Sequence, residues 1–145
     1  DETLALLQPV FHTLDAVHKR KVLHLDVSPD NILVGPNADV LLIDFGATGT
    51  IESGIRQHTD GYSAPELYAC GRPPDERADV YALAATIYYG ITGYSPPAAP
   101  DRRNGNRLLP LPRSVARPLC RALQLSPDYR PTCIGAFYDE LFRSG

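Results

Sequence analysis

Apolar residues recur at three- and four-residue steps along the start of the chain, at Leu4, Leu7, Phe11, Leu14 and Val17. That spacing gathers them on one face of a helix and predicts an amphipathic helix over residues 2–20. Beyond it the pattern shortens to brief extended pieces, predicted at Val22–His24, Asn31–Val34 and Val40–Ile43. The last two flank Gly35-Pro36-Asn37-Ala38, a run of turn formers, so they are expected to pair as a small hairpin. Residues 45–62 carry Gly, Thr and Ser with no period, which predicts a loop.

From Ala78 to Ile91 the chain is apolar nearly all round, the pattern of a helix buried on every side. Pro96, Pro97, Pro100, Pro110 and Pro112, with Gly105, interrupt any period between 94 and 112, and an irregular connection is expected there. Helical spacing returns over Val115–Leu125 and Thr132–Phe142, two closing helices separated by Ser126-Pro127-Asp128. No internal repeat is visible. The expected class is mainly α with a small β-hairpin.

Composition narrows the function classes. A length of 145 residues suits one domain with a real core, and 43% apolar with 21% charged residues is ordinary for a globular chain. A net charge of −3 offers no electrostatic attraction to nucleic acid or an anionic membrane surface. The basic cluster visible in the linear sequence, Arg102, Arg103 and Arg107, sits in the Pro/Gly/Asn-rich stretch and reads as part of a solvated connector. Cys70, Cys120 and Cys133 are odd in number and lack paired spacing, which argues against a disulfide framework or a zinc site and fits a reducing, cytoplasmic compartment. The longest apolar run, Val80 to Ile91, is 12 residues, too short to span a bilayer. No signal peptide is visible. The chain begins at Asp1 and contains no Met, so a segment of a longer protein is expected, with any targeting signal or membrane tether elsewhere.

The chemistry concentrates in one stretch: His24-Leu25-Asp26-Val27-Ser28-Pro29-Asp30-Asn31, then Asp44-Phe45-Gly46, then Ala64-Pro65-Glu66. Asp26, Asn31 and Asp44 are oxygen-bearing side chains at the ends of short extended pieces. Mg²⁺ takes hard oxygen ligands and completes its octahedron with water and phosphate, so one carboxylate and one amide oxygen on adjacent strands would suit it. A further carboxylate outside the metal shell could accept a proton from a hydroxyl.

This arrangement resembles the signature set of eukaryotic-like Ser/Thr protein kinases: catalytic loop, metal-binding Asp-Phe-Gly, and Ala-Pro-Glu after the activation segment. Asn31 follows Asp26 by five positions and Asp44 follows Asn31 by thirteen, a joint spacing that turn residues alone do not reproduce. The resemblance covers nearly the whole chain and implies the large, C-terminal lobe of a kinase domain over residues 1–145, with the small lobe absent. It implies that Asp26 is the base toward the substrate hydroxyl. Asn31 and Asp44 would be the Mg²⁺ ligands, and Leu33 the apolar residue under the adenine of ATP. Thr59, seven residues before Glu66, matches the threonine that hydrogen-bonds the catalytic aspartate and favours Ser or Thr over Tyr acceptors.

His24 would brace the loop, Asp79 would accept backbone N–H bonds from it, and Arg130 would pair with Glu66. The first helix ends in Val17-His18, as the family's does. The wording of Ser28-Pro29-Asp30-Asn31-Ile32-Leu33 and of Tyr81–Tyr89 is similar to bacterial members. The implied partners are a protein substrate and a small lobe supplied in cis.

Two positions depart from the family. Leu25 replaces the arginine that reads an activation-loop phosphate, which weakens the case for switching through Thr48, Thr50 or Ser53. Ser28 replaces the lysine that contacts the transferring phosphate, removing a cation from the transition state. Both lend weight to a pseudokinase, a binding module without phosphoryl transfer. A small-molecule phosphotransferase of the aminoglycoside type shares the catalytic loop, but such enzymes generally lack the Ala-Pro-Glu element and its arginine. The Gly-rich loop, the strand lysine and the helix glutamate of a small lobe do not occur in the chain. Nucleotide binding by these residues alone is therefore expected to be very weak.

Overall fold

The computed structural model describes residues 2–37, 39–43, 60–68 and 74–142. Helix α1 runs Glu2–Lys19 and buries Leu4, Leu7, Val10, Phe11, Leu14 and His18. The apolar stripe was legible, but its last buried position is His18 rather than Val17, because the step from Leu14 to the core is four residues. Strands β1 (Ile32–Val34) and β2 (Val40–Leu42) pair antiparallel, Ile32 opposite Leu42, Leu33 opposite Leu41 and Val34 opposite Val40. The bond from Ile43 N–H to the Asn31 carbonyl, at 2.8 Å, continues the ladder beyond the strand ends.

The predicted extended piece at Val22–His24 forms no strand among the described residues. Its backbone donors are turned aside: the His24 N–H goes to a buried carboxylate instead of a sheet neighbour. Of the loop expected over 45–62, residues 60–62 are described and form a turn.

Helix α2 (Glu76–Thr92) is the centre of the molecule, with every residue from Ala78 to Tyr88 buried. Asp75 caps its start by accepting from the Arg77 N–H at 2.9 Å, and Gly93 closes it in the left-handed region at φ 83°. Helices α1, α4 (Arg113–Ala122) and α5 (Ile134–Phe142) pack around it. Phe11 of α1 meets Phe137, Tyr138 and Phe142 of α5 at centroid distances of 5.6, 5.5 and 5.7 Å, two of them edge-on. Each large side chain buried this way contributes about 1.5–3 kcal/mol relative to exposure.

The connector over 94–112 holds a short helix that the sequence reading missed, α3 (Ala99–Arg103). Pro100 stands in its first turn, where a missing N–H costs nothing, so this proline starts a helix rather than breaking one. Helix α4 stops at Ala122, three residues short of the expected end, and α5 begins at Ile134 after the Cys133 Sγ accepts the Ala136 N–H at 3.4 Å. Cys120 and Cys133 are free thiols, and no helix among the described residues is long and apolar enough to cross a membrane.

Candidate active site

The segment between α1 and β1 is held from below by one carboxylate. Asp79, on the first turns of α2 and fully buried, accepts the His24 N–H on Oδ2 and the Leu25 N–H on Oδ1, both at 2.8 Å. A third bond comes from His18, whose Nε2–H donates to Oδ2 at 2.7 Å. Leu25 lies at φ 64°, a left-handed conformation that costs a non-glycine residue about 1–3 kcal/mol. The two amide bonds to Asp79 fix this residue in place. The chain then turns sharply, and Asp26 stands at the tip with its side chain half-buried.

His24 is buried with both ring nitrogens engaged. Its Nδ1 accepts the Asp26 N–H at 3.0 Å, so the proton sits on Nε2 and is donated to the Ile43 carbonyl at 2.8 Å. The imidazole therefore ties the backbone of Asp26 to the residue immediately before Asp44. A ring with both nitrogens used in this way has none left for a substrate proton.

Asn31 closes the loop from the other side. It ends the 3-10 turn Pro29–Asn31, which its own N–H secures to the Ser28 carbonyl at 3.0 Å. Its Nδ2 donates to the Asp26 carbonyl at 2.7 Å and to the Asp26 Oδ2 at 2.9 Å. With Nδ2 committed to Asp26, Oδ1 is the atom that Asn31 has to offer a cation. Ser28 is buried at 3% exposure, whereas Leu33 is 51% exposed on the hairpin beside Leu41. Asp44, Phe45, Gly46 and Thr59, with Thr48, Thr50 and Ser53, lie outside the described residues.

Glu66 and Arg130 form a second buried assembly. The two guanidinium NH groups meet the two carboxylate oxygens at 2.8 Å each, a fork-to-fork pair. The other donors go to the carbonyls of Gln124, Arg77 and Leu125 at 2.8, 3.1 and 3.1 Å, so all five N–H groups are used. The guanidinium also lies 5.0 Å above the Tyr81 ring. This pair joins the segment ending at Leu67 to α2 and to the loop before α5.

Two features here carried no signal in the reading of the sequence. Gly61 has φ 92°, and a Cβ there would meet the Pro96 carbonyl at 2.9 Å, so the turn before Tyr62 requires glycine. Tyr68 donates its O–H to Asp60 at 2.7 Å, and burial followed by this bond pushes its phenol well above the ordinary range. The part played by His18 was also missed, although a polar residue in step with Leu7, Phe11 and Leu14 signals a buried partner.

The family model for the protein kinase domain matches residues 1–131. The chain is 36% identical over 99 residues to the serine/threonine-protein kinase PknL of Mycobacterium tuberculosis, covering 64% of this chain and 25% of that protein. It is 32% identical to PknK of the same organism over 97% of this chain and 14% of that protein, so it spans a quarter or less of the length of these curated relatives. Among solved structures, the apo form of PpkA-294 superposes with a TM-score of 0.82 at 26% identity, over 97% of this chain and 54% of that one. Fold, motif order and relatives agree, and the chain belongs to the protein kinase domain family.

Proposed function

We propose that residues 1–145 form the large lobe of a Ser/Thr protein kinase domain. Joined to a small lobe in cis, it transfers the γ-phosphoryl of ATP to a Ser or Thr hydroxyl of a protein in the cytoplasm. The observation that carries this reading is the Asp26–Asn31 side-chain pair, tied through the His24 imidazole to the residue preceding Asp44. Asp26 accepts the proton of the substrate hydroxyl. Thr59 steadies it, by the family's pattern.

The donor set fits Mg²⁺. Asn31 keeps its Oδ1 for a cation because its Nδ2 is spent on Asp26, and Asp44 supplies a carboxylate one residue beyond the pinned Ile43. Mg²⁺ held there neutralises charge on the phosphates. Leu33, exposed beside Leu41, offers an apolar surface for the adenine.

Ser28 argues for slower turnover. Its short, buried, uncharged side chain cannot do the work of a lysine on the transferring phosphate. Leu25 is buried and apolar, so an activation-loop phosphate finds no guanidinium at this position. These two residues favour the second reading, a pseudokinase that keeps the fold to bind partners.

The test is phosphoryl transfer from labelled ATP by the full-length protein, followed by identification of the phosphorylated amino acid. Label on serine or threonine and none on tyrosine is expected. Retained nucleotide binding without any transfer would assign the protein to the pseudokinases instead.

A further inference from the structure

We propose that the exposed face of α4 built from Arg113, Arg117 and Arg121 is a docking surface for an extended acidic segment of a partner protein. The linear sequence does not display this cluster, because its members are spread over nine residues. The helix brings them together, at i, i+4 and i+8, on one side.

The placement works against the helix itself. Like charges four apart repel on a helix surface, and α4 contains no acidic residue to relieve them. Arg113 opens the helix, at the end where the backbone dipole disfavours a cation. The arginines are not needed for packing, which Val115, Leu119 and Ala122 provide on the opposite side. Glu140 of α5 pairs with Arg121, whereas Arg113 and Arg117 meet no carboxylate among the described residues. Arg113 and Arg117, held at a cost to their own helix and without a carboxylate partner among the described residues, are complementary to an anion from outside.

Beside them lies a shallow groove of about 500 Å³ lined by Arg117, Cys120, Arg121, Gln124 and Tyr129. Tyr129 is 69% exposed, a ring open to an apolar side chain of the partner. The spacing also selects the partner's conformation. Residues four apart on a helix stand roughly 6 Å apart along the axis, and alternate residues of an extended chain repeat at about 6.6 Å. Carboxylates at every second position of an extended segment therefore meet successive arginines. Asp128, beside Tyr129 and 65% exposed at its side chain, and Glu140 place negative charge close to the groove. A broad anionic surface would press against both, whereas a narrow chain along Arg113 and Arg117 meets cations that lack a carboxylate partner among the described residues.

The test uses the full-length protein and a fluorescent peptide with glutamates at alternate positions around a central phenylalanine, followed by anisotropy over a range of salt concentrations. Expected are saturable binding that weakens with salt, a loss of about tenfold or more with Arg117→Glu, and a smaller loss with Arg117→Gln. Arg107→Glu, in the separate α3–α4 connector, should leave the affinity unchanged, and melting temperatures of all variants should match the parent. Equal losses from Arg107→Glu and Arg117→Glu would reduce the effect to net charge and overturn the proposal. So would the absence of peptide binding, or Arg117-dependent binding to phosphatidylserine vesicles in place of the peptide. None of these residues belongs to the catalytic loop, so phosphoryl transfer and docking fail or survive separately.

Discussion

Asp79 performs no chemistry in this account, yet three groups depend on its two oxygens: His18, the His24 N–H and the Leu25 N–H. It converts a strained backbone at Leu25 into a fixed platform for Asp26. Glu66 and Arg130 do the same for the segment around Ala64–Leu67. Removing one partner of that pair strands a buried charge, so Glu66→Ala should cost about 3–5 kcal/mol in urea unfolding. Replacing both members by apolar residues of similar size should cost less than the single change.

Tyr68 gives a pH dependence whose sign is fixed. Its phenol is raised above the ordinary value of 10.0 by burial and by its bond to Asp60. The folded chain therefore holds this proton more tightly than the unfolded chain does. The stabilisation it provides is complete below pH 10 and is lost as the pH rises further. In thermal unfolding from neutral to strongly alkaline pH, Tyr68→Phe should show a shallower alkaline loss than the parent chain.

Among the elements, the close approach of α1 and α2 is tested at Gly90. A Cβ there would lie 2.5 Å from the Thr3 Cγ2. Gly90 is exposed and the clash is with one side chain, so Gly90→Ala alone should destabilise by less than about 1 kcal/mol once the better helix propensity of alanine is set against it. Adding Thr3→Ala removes the methyl and should recover much of the loss, read as a coupling energy in denaturant unfolding of the four chains. Helices with a strong period, α1, α2, α4 and α5, were legible because one face or the whole circumference is apolar. Helix α3 was not, because a proline amid other prolines reads as a breaker, whereas Pro100 serves as a first-turn residue. The extended piece at Val22–His24 failed for a different reason. The Val22 N–H turns back to the Val17 carbonyl, and the His24 N–H goes to Asp79, a contact from 55 residues away that local pattern cannot reveal.

For the whole molecule, the site was legible as a motif rather than as geometry. Asp26, Asn31, Glu66, Asp79 and Arg130 could be named from spacing and resemblance, as could the Glu66–Arg130 pair and the loop N–H bonds to Asp79, whereas the Asn31–Asp26 bonds could not. The two-sided use of the His24 ring and the left-handed Leu25 emerge only when the hairpin, α1 and α2 are assembled. The hairpin presents the cross-strand pair Leu33 and Leu41 at 51% and 59% exposure, a single open apolar wall. A nucleotide meeting that wall alone buries too little of itself to bind well. Millimolar Mg-ATP should therefore stabilise the 145-residue chain by less than about 1 kcal/mol in thermal unfolding, and a larger shift would mean that the large lobe holds nucleotide unaided.

The most direct test of the catalytic assignment is single-turnover phosphoryl transfer by the domain joined to its small lobe, comparing the parent with Asp26→Asn while Mg-ATP affinity is measured separately. A fall of about 10²–10⁴-fold in the transfer rate is expected, with nucleotide affinity nearly unchanged. A variant that transfers as fast as the parent would contradict that assignment.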